Sequence, residues 1–414
     1  MYCKLTFWID CGIISLERLE GNGGGMQFED LQEAFYKMKK IHPNLFFKIT
    51  EAQFEKEMAR SKENWDNLDY YGQIYEALRL RALLGDAHLW MRFPNIVDGR
   101  FPFSVKKFKE GFCIVNVDLN SISQEILNTQ ILAINGLPLE EIIEIATPII
   151  STENGAFDFE FEHSLQFEYF YRVLGIADKN EITLTLRDDS KIFDLTVKTM
   201  GYNHKTKYAK KSKPLFEFRE TNDYAYLKIN SFRRSKSLNI NKFHNEIMQS
   251  ASKNKPIIID VRDNTGGVFG LFKELWEILG TSKATGYCLV NHNSFSSSVL
   301  TAQYLRNLGF TIVGEPMAQP ASFHGNICDD VMTKSGIVID VATALWDQNV
   351  TRHRKGVPAG FTYDKNAVIP DILIEESLQD LKNNKDSILD YCVNEIKQHA
   401  KEQDIEFEET EFCR

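Results

Sequence analysis

Residue types able to do chemistry concentrate in two stretches of this chain. Ser294-Phe-Ser-Ser-Ser298 lies between an apolar run at 287–290 and an amphipathic one at 299–308. Shortly before it, Asp263-Asn-Thr-Gly266-Gly267 follows the continuous apolar run 257–261. A serine at the start of a helix sits where the helix dipole favours developing negative charge. Paired glycines let backbone N–H groups approach another group closely. One stretch therefore offers an oxygen nucleophile, and the other offers donors for an oxyanion. Each also has a plain alternative: a serine that merely caps a helix, and an ordinary strand-to-helix turn.

Serine is a weak nucleophile and needs a base. Two of the nine histidines stand where a base is useful. His88, in Gly85-Asp-Ala-His88, ends a helical pattern among turn residues. His324, in Ser322-Phe-His-Gly-Asn326, follows the strand after the serine helix. The seven cysteines form no C-x-x-C pair and are odd in number, so neither a zinc site nor a disulfide framework is expected. No metal-ligand spacing stands out, and neither a metal nor a cofactor is expected.

The elements that must position these residues follow from periodicity. Leu31, Ala34, Phe35 and Met38 recur at helical spacing after Phe28. Thr50 is suited to cap a second helix over 51–60, and a third is expected at 72–84. From 101 to 200 the pattern turns β-rich, with a strand at 131–134, a turn at Asn135-Gly136 and a helix at 139–146. A hairpin of 182–186 with 193–197 follows around Asp188-Asp-Ser190. The aromatic clusters 157–161 and 167–171 read as packing between subdomains. Residues 202–220 are basic and polar and read as a linker. From 224 onward strands (224–229, 256–261, 287–290, 311–313) alternate with helices (240–251, 269–279, 299–308), which predicts an α/β layered core. The acidic run 402–411 reads as a frayed tail.

Composition bounds the function. The 414 residues carry a net charge of -10, with 43% hydrophobic and 26% charged residues. That is an ordinary globular balance, and it argues against a nucleic-acid surface. No run of apolar residues is long enough to span a membrane. In the first 25 residues an apolar stretch over 1–16 is interrupted by Lys4 and Asp10, and Gly21-Asn-Gly-Gly-Gly25 then breaks the chain. They read as a disordered or mis-assigned start, which makes a cytoplasmic location the default and an exported form the alternative.

Taken in order, the motifs resemble those of the tail-specific, or C-terminal processing, serine peptidase family, over roughly residues 28–375. Ile41-His-Pro-Asn44 and Gly85-Asp-Ala-His88 resemble its N-terminal helical region. Gln130-Ile-Leu-Ala-Ile-Asn-Gly-Leu-Pro138 resembles its PDZ-type module. Ile259-Asp-Val-Arg-Asp-Asn-Thr-Gly-Gly267 is similar to its Asp-x-Arg-x-Asn-x-Gly-Gly loop, and Ser294-Phe-Ser-Ser-Ser298 to its nucleophile segment. Val313-Gly-Glu-Pro316 and Val368-Ile-Pro-Asp-Ile372 are similar to its closing motifs. The resemblance implies a crotonase/ClpP-like layered peptidase core at 201–398, an N-terminal helical subdomain at 27–100 and a PDZ-like β-rich domain at 101–200. Tails at 1–26 and 399–414 flank them.

It also implies roles. Ser296 aligns with the nucleophile, and the Gly266, Gly267 and Ser297 N–H groups with an oxyanion hole. Ala321 stands where many members have a lysine, and Val299 where a glutamate is common. The pattern is therefore more similar to the tricorn-core and retinoid-binding-protein-like branch, in which a histidine is the base. That places His88 in the role, with Asp364 as its acidic helper; Ala87 stands where the tricorn type has a second serine. His324 is the alternative base. The expected substrate is a peptide or an unstructured protein tail, with oligomeric state left open. Two other readings remain: an inactive relative that binds a peptide or hydrophobic ligand, and an acyl-transferring enzyme of the crotonase type, for which no CoA-binding feature stands out.

Overall fold

The computed structural model describes residues 25–412 apart from 95, 97–98, 154–156, 202–204, 211–213, 234–239, 254, 283 and 348–368. In chain order the helices are α1 (Phe28–Ile41), α2 (Glu51–Asn64), α3 (Tyr70–Leu83), α4 (Leu139–Ala146), α5 (Phe157–Ser164), α6 (Glu168–Val173), α7 (Ile240–Ser252), α8 (Lys273–Ser282), α9 (Ser297–Asn307), α10 (Leu378–Lys382) and α11 (Ser387–Phe412). The strands are β1 (Trp90–Arg92), β2 (Phe103–Phe108), β3 (Gly111–Val117), β4 (Gln130–Ile134), β5 (Leu137–Pro138), β6 (Glu181–Arg187), β7 (Ile192–Lys198), β8 (Phe216–Glu220), β9 (Ala225–Ile229), β10 (Ile257–Asp260), β11 (Gly286–Val290), β12 (Thr311–Gly314), β13 (Phe323–Met332), β14 (Val338–Trp346) and β15 (Ile372–Leu373). The chain divides into two compact units. One holds residues 1–211 with 323–345, the other 212–322 with 346–414.

In the first unit α1 buries Leu31, Ala34, Phe35 and Met38, the stripe that its spacing predicts. Thr50 caps α2 in a reciprocal box with Gln53, satisfying N–H groups that the first helical turn leaves open. Strands β2-β3-β4-β6-β7 form an antiparallel sheet, and β5 pairs with β4. Ile182, Leu184 and Leu186 alternate inward along β6. The two aromatic clusters are helices, α5 and α6. Their Phe161, Phe170 and Tyr171 enter one core shared with α1, α3 and the sheet, packing the helical stretch against the β-rich one.

A third sheet has the order β1-β14-β13. Trp90 pairs with Asp340, and Arg92 with Val338. Residues 323–345, expected with the core at 201–398, thus lie in the first unit, because β1 has no other ladder partner among the described residues.

In the second unit the sheet order is β15-β12-β11-β10-β9-β8. Strands β9, β10, β11, β12 and β15 run parallel, and β8 closes the edge antiparallel. Helices α7, α8 and α9 are the crossovers. Strands β9 and β10 are buried along their whole length, as strands covered on both faces must be. On one face Tyr226, Ile258, Leu289 and Val313 meet Ile388, Cys392 and Ile396 of α11. That helix runs on to Phe412, so the acidic tail is helical where fraying was expected.

Asp260, fully buried, accepts from Lys228 Nζ at 2.9 Å, Tyr226 Oη at 2.8 Å and the Arg262 guanidinium, which forks onward to Asp386. Burial alone raises its pKa, but the Arg262 and Lys228 charges override that and hold the carboxyl far below its ordinary range. Among the described residues no helix is long and apolar enough to cross a membrane.

Candidate active site

Adjacent parallel strands end side by side, so the loops that leave β10 and β11 at their carboxyl ends meet in the second unit. These loops carry Gly266, Gly267 and Ser296. The serine cluster knits them together. Ser294 Oγ donates to the Val261 carbonyl at 2.9 Å, Ser297 Oγ to Gly267 O at 2.6 Å, and Ser298 Oγ to Asn264 O at 2.7 Å. Ser296 is the exception. It stands at the N-cap of α9, yet its side chain makes no capping bond, and its hydroxyl has no partner among the described residues. The N-cap alternative is therefore not what this serine does.

Ser296 also adopts φ 56°, ψ -114°, a region that serine seldom visits. Such a conformation costs on the order of 1–3 kcal/mol and persists only where the surroundings enforce it. Gly266 explains part of the enforcement. A Cβ there would lie 2.7 Å from Ser296 Cβ and 3.0 Å from Ser297 N. Only glycine permits this approach at φ +100°.

The Gly266 N–H, expected among the oxyanion donors, instead donates to Asn264 Oδ1 at 2.9 Å. Among the described residues the Gly267 and Ser297 N–H groups meet no acceptor. Asn264 was not singled out from the sequence, although it is the Asn of the Asp-x-Arg-x-Asn-x-Gly-Gly loop. Its Nδ2 anchors to Ile229 O at 2.8 Å and its carbonyl receives the Phe295 N–H at 3.1 Å.

His88 and His324 come together in the first unit. Gly85, at φ +65°, turns the chain out of α3 and into Asp86-Ala87-His88. Asp86, fully buried, accepts the His88 N–H on Oδ1 at 2.7 Å and faces His42 Nε2 from Oδ2 at 2.8 Å. Ser151 Oγ donates to the Asp86 carbonyl at 3.0 Å. The His88 ring bonds the backbone carbonyl of His324 and stacks on Phe323 with centroids 5.8 Å apart. The His324 ring lies 4.4 Å from that of His42 and 4.6 Å from Phe47, and neither of its nitrogens has a hydrogen-bond partner among the described residues.

Burial dominates the electrostatics. It pushes His88 down to about 4, against the pull of the Asp86 charge, and it pushes His324 down to about 4, helped by His42. Burial raises Asp86, but the His42 bond and the imidazoles around it outweigh that and leave the carboxyl below its ordinary value. Asp364 lies outside the described residues.

The His42–Asp86–His324 and Asp86–His88–Glu153 groups each offer ligand atoms within 4.8 Å of one another. For the first group the hydrogen bonding disfavours a metal. Asn44 N–H donates to His42 Nδ1 at 3.1 Å, so the ring proton sits on Nε2, facing Asp86, where a metal would need a lone pair. A cleft of about 920 Å³ in the same unit, with Tyr71, Tyr75 and Arg172 in its wall, contains none of these residues.

The fold is α/β, and it is shared with solved structures. The structure of mature CPAF superposes with a TM-score of 0.61 at 13% identity, covering 89% of this chain and 96% of that one. Mature CPAF complexed with lactacystin gives 0.62 at 13% identity, covering 90% and 98%. A photosystem II D1 C-terminal processing protease matches at 0.43 and 12% identity over 86% of this chain and 94% of that one. No protein-family model matches the chain, and no curated protein matches it in sequence.

Proposed function

We propose that this chain is a serine-type peptidase acting on peptides or unstructured protein tails. One observation carries the reading. Of the four clustered serines, Ser296 alone keeps its hydroxyl uncommitted, and it is held in a strained conformation beside the acceptor-free N–H groups of Gly267 and Ser297. The likeness of the fold to mature CPAF supports it, as does the order of the motifs.

In this reading His88 is the base. Its ring donates to the His324 carbonyl, which fixes the tautomer and puts the lone pair on the other ring nitrogen. The base takes the Ser296 proton as Oγ attacks a peptide carbonyl. The Gly267 and Ser297 N–H groups stabilise the oxyanion, a contribution typically worth about 100- to 1000-fold per donor. The protonated imidazole then gives its proton to the leaving amine. Water, deprotonated by the same base, releases the acid and regenerates Ser296. Asp364 is assigned to steady the imidazolium, and residues 101–200 to hold an extended segment of substrate by strand addition.

The test is labelling with a fluorophosphonate, read by intact mass, with lactacystin as a second probe because mature CPAF was solved with it bound. One adduct on wild type, lost in Ser296→Ala and in His88→Ala but retained in His324→Ala, is the expected result. An adduct lost in His324→Ala and kept in His88→Ala moves the base. A folded wild type that takes no adduct favours the ligand-binding alternative.

A further inference from the structure

The Ser296 N–H points at a side chain rather than at the site. It donates to Gln319 Oε1 at 2.8 Å, and Gln319 is fully buried. Gln319 lies in the loop after β12, a third loop at the carboxyl edge of the same sheet. The loop is itself tied to the serine segment by Ala318 N–H, which donates to Ser294 O at 3.1 Å. As the N-cap residue of α9, Ser296 has an N–H with no acceptor within the helix, and Val299 three residues on has no polar side chain to bond back to it. A buried N–H left unpaired costs about 1–3 kcal/mol. Gln319 supplies the acceptor that this N–H requires.

We propose that Gln319 is a positioning residue for the nucleophile, an assignment that rests on the peptidase reading above. Gln319 has two effects. It holds Ser296 in the conformation that presents Oγ, which no capping bond of the serine itself secures. It also removes the Ser296 N–H from the set of oxyanion donors, so the hole consists of the Gly267 and Ser297 N–H groups. The sequence shows no sign of this role, because Gln319 sits between Val313-Gly-Glu-Pro316 and His324 in a stretch with no periodicity.

The experiment measures fluorophosphonate labelling kinetics on the full chain, separating the maximal rate from the half-saturating concentration. Gln319→Met keeps the volume and removes the acceptor. It is expected to lower the maximal rate about 10- to 100-fold, the scale of a nucleophile displaced by a fraction of an ångström. The half-saturating concentration stays within about threefold, since the remainder of the site is untouched. Gln319→Glu restores an oxygen at the same reach and is expected to recover to within about fivefold of wild type, its charge-assisted bond to the Ser296 N–H offsetting the unfavourable charge. A space-filling role would instead leave both variants near the wild-type rate. Should Gln319→Met not fold, Gln319→Asn, whose oxygen falls one methylene short, takes its place with the same expectation. Wild-type rates in Gln319→Met or Gln319→Asn overturn the proposal, and so does equal slowing in Gln319→Glu. A wild type that does not label at all sinks the peptidase reading and this assignment with it.

Discussion

At the scale of single residues the site depends on what its neighbours leave undone. Ser294, Ser297 and Ser298 spend their hydroxyls on the Gly-Gly loop, and Ser296 does not. Sequence could nominate Ser296 only through the family resemblance, since four serines in five positions look alike. Its distinction is conformational, and no local pattern encodes a φ of 56° that is enforced from other loops. The histidines make a prediction here. His88 and His324 are neutral in the folded state, each with a pKa near 4, whereas the unfolded chain takes up a proton near 6.5. Between those values the unfolded state binds more protons, so stability is full above about pH 6.5 and falls as the pH drops toward 4. The slope is about 1.4 kcal/mol per pH unit for each histidine. Asp86, whose carboxyl is depressed, has the same sign, but its contribution is lost only below the ordinary carboxylate range. Melting temperatures measured from pH 7.5 to 4.5 are expected to fall, and a flat profile would contradict the buried, neutral imidazoles.

Elements were the most legible part of the chain. The helices at 28–41 and 139–146, the hairpin at 181–198 and the alternating strands of the second unit stand where periodicity puts them. Thr50 caps α2 as its type predicts. Several elements escaped, among them β2 and β3, and β8, whose Phe216–Glu220 lies in the stretch 202–220 that reads as a linker but pairs antiparallel with β9. Helices α5 and α6 are short and aromatic-rich, and a run of Phe and Tyr carries no clear 3.6-residue period when both faces are buried. Strands β13 and β14 were not anticipated because polar residues such as Asp329, Asp330 and Asp340 interrupt them. Arg92 on β1 supplies the cation, bonding Asp330 at 2.7 Å and Asp340 at 3.0 Å. The capping box gives a clean test at this scale. Thr50→Ala removes the Oγ1 acceptor for Gln53 N–H and is expected to cost about 1 kcal/mol. That lowers the melting temperature by a few degrees and leaves the labelling rate at Ser296 unchanged. A loss of labelling at full occupancy of the folded state would mean that α2 reaches the chemistry.

For the whole molecule the two-unit division matters more than the order of motifs suggests. The motifs run along the chain, but the first unit is built from two separated segments, and among the described residues β1 pairs only with a strand from the second of them. A fragment of residues 26–211 therefore leaves β1 unpaired and strips Ile337, Ile339 and Val341 from the core that also holds Leu89 and Met91. Expressed alone, it is expected to be insoluble or to lack a cooperative melting transition. Appending 323–345 through a flexible Gly/Ser linker is expected to restore one. A cooperative transition in the short fragment would show that the hairpin is dispensable to that unit.

The same discontinuity sets a schedule on synthesis. At about 5–20 residues per second, the roughly 250 residues that separate β1 from β14 take on the order of ten to fifty seconds to emerge. Throughout that interval β1 and the helices before it exist without the hairpin that closes their sheet. The second unit waits as well, for β15 and for the helix α11 that covers Tyr226, Ile258, Leu289 and Val313. Neither unit can finish while the ribosome is still attached to its middle, so a nascent chain of this protein carries exposed apolar surface for most of its translation, and the yield of folded protein becomes a matter of holding capacity in the cell as much as of intrinsic stability.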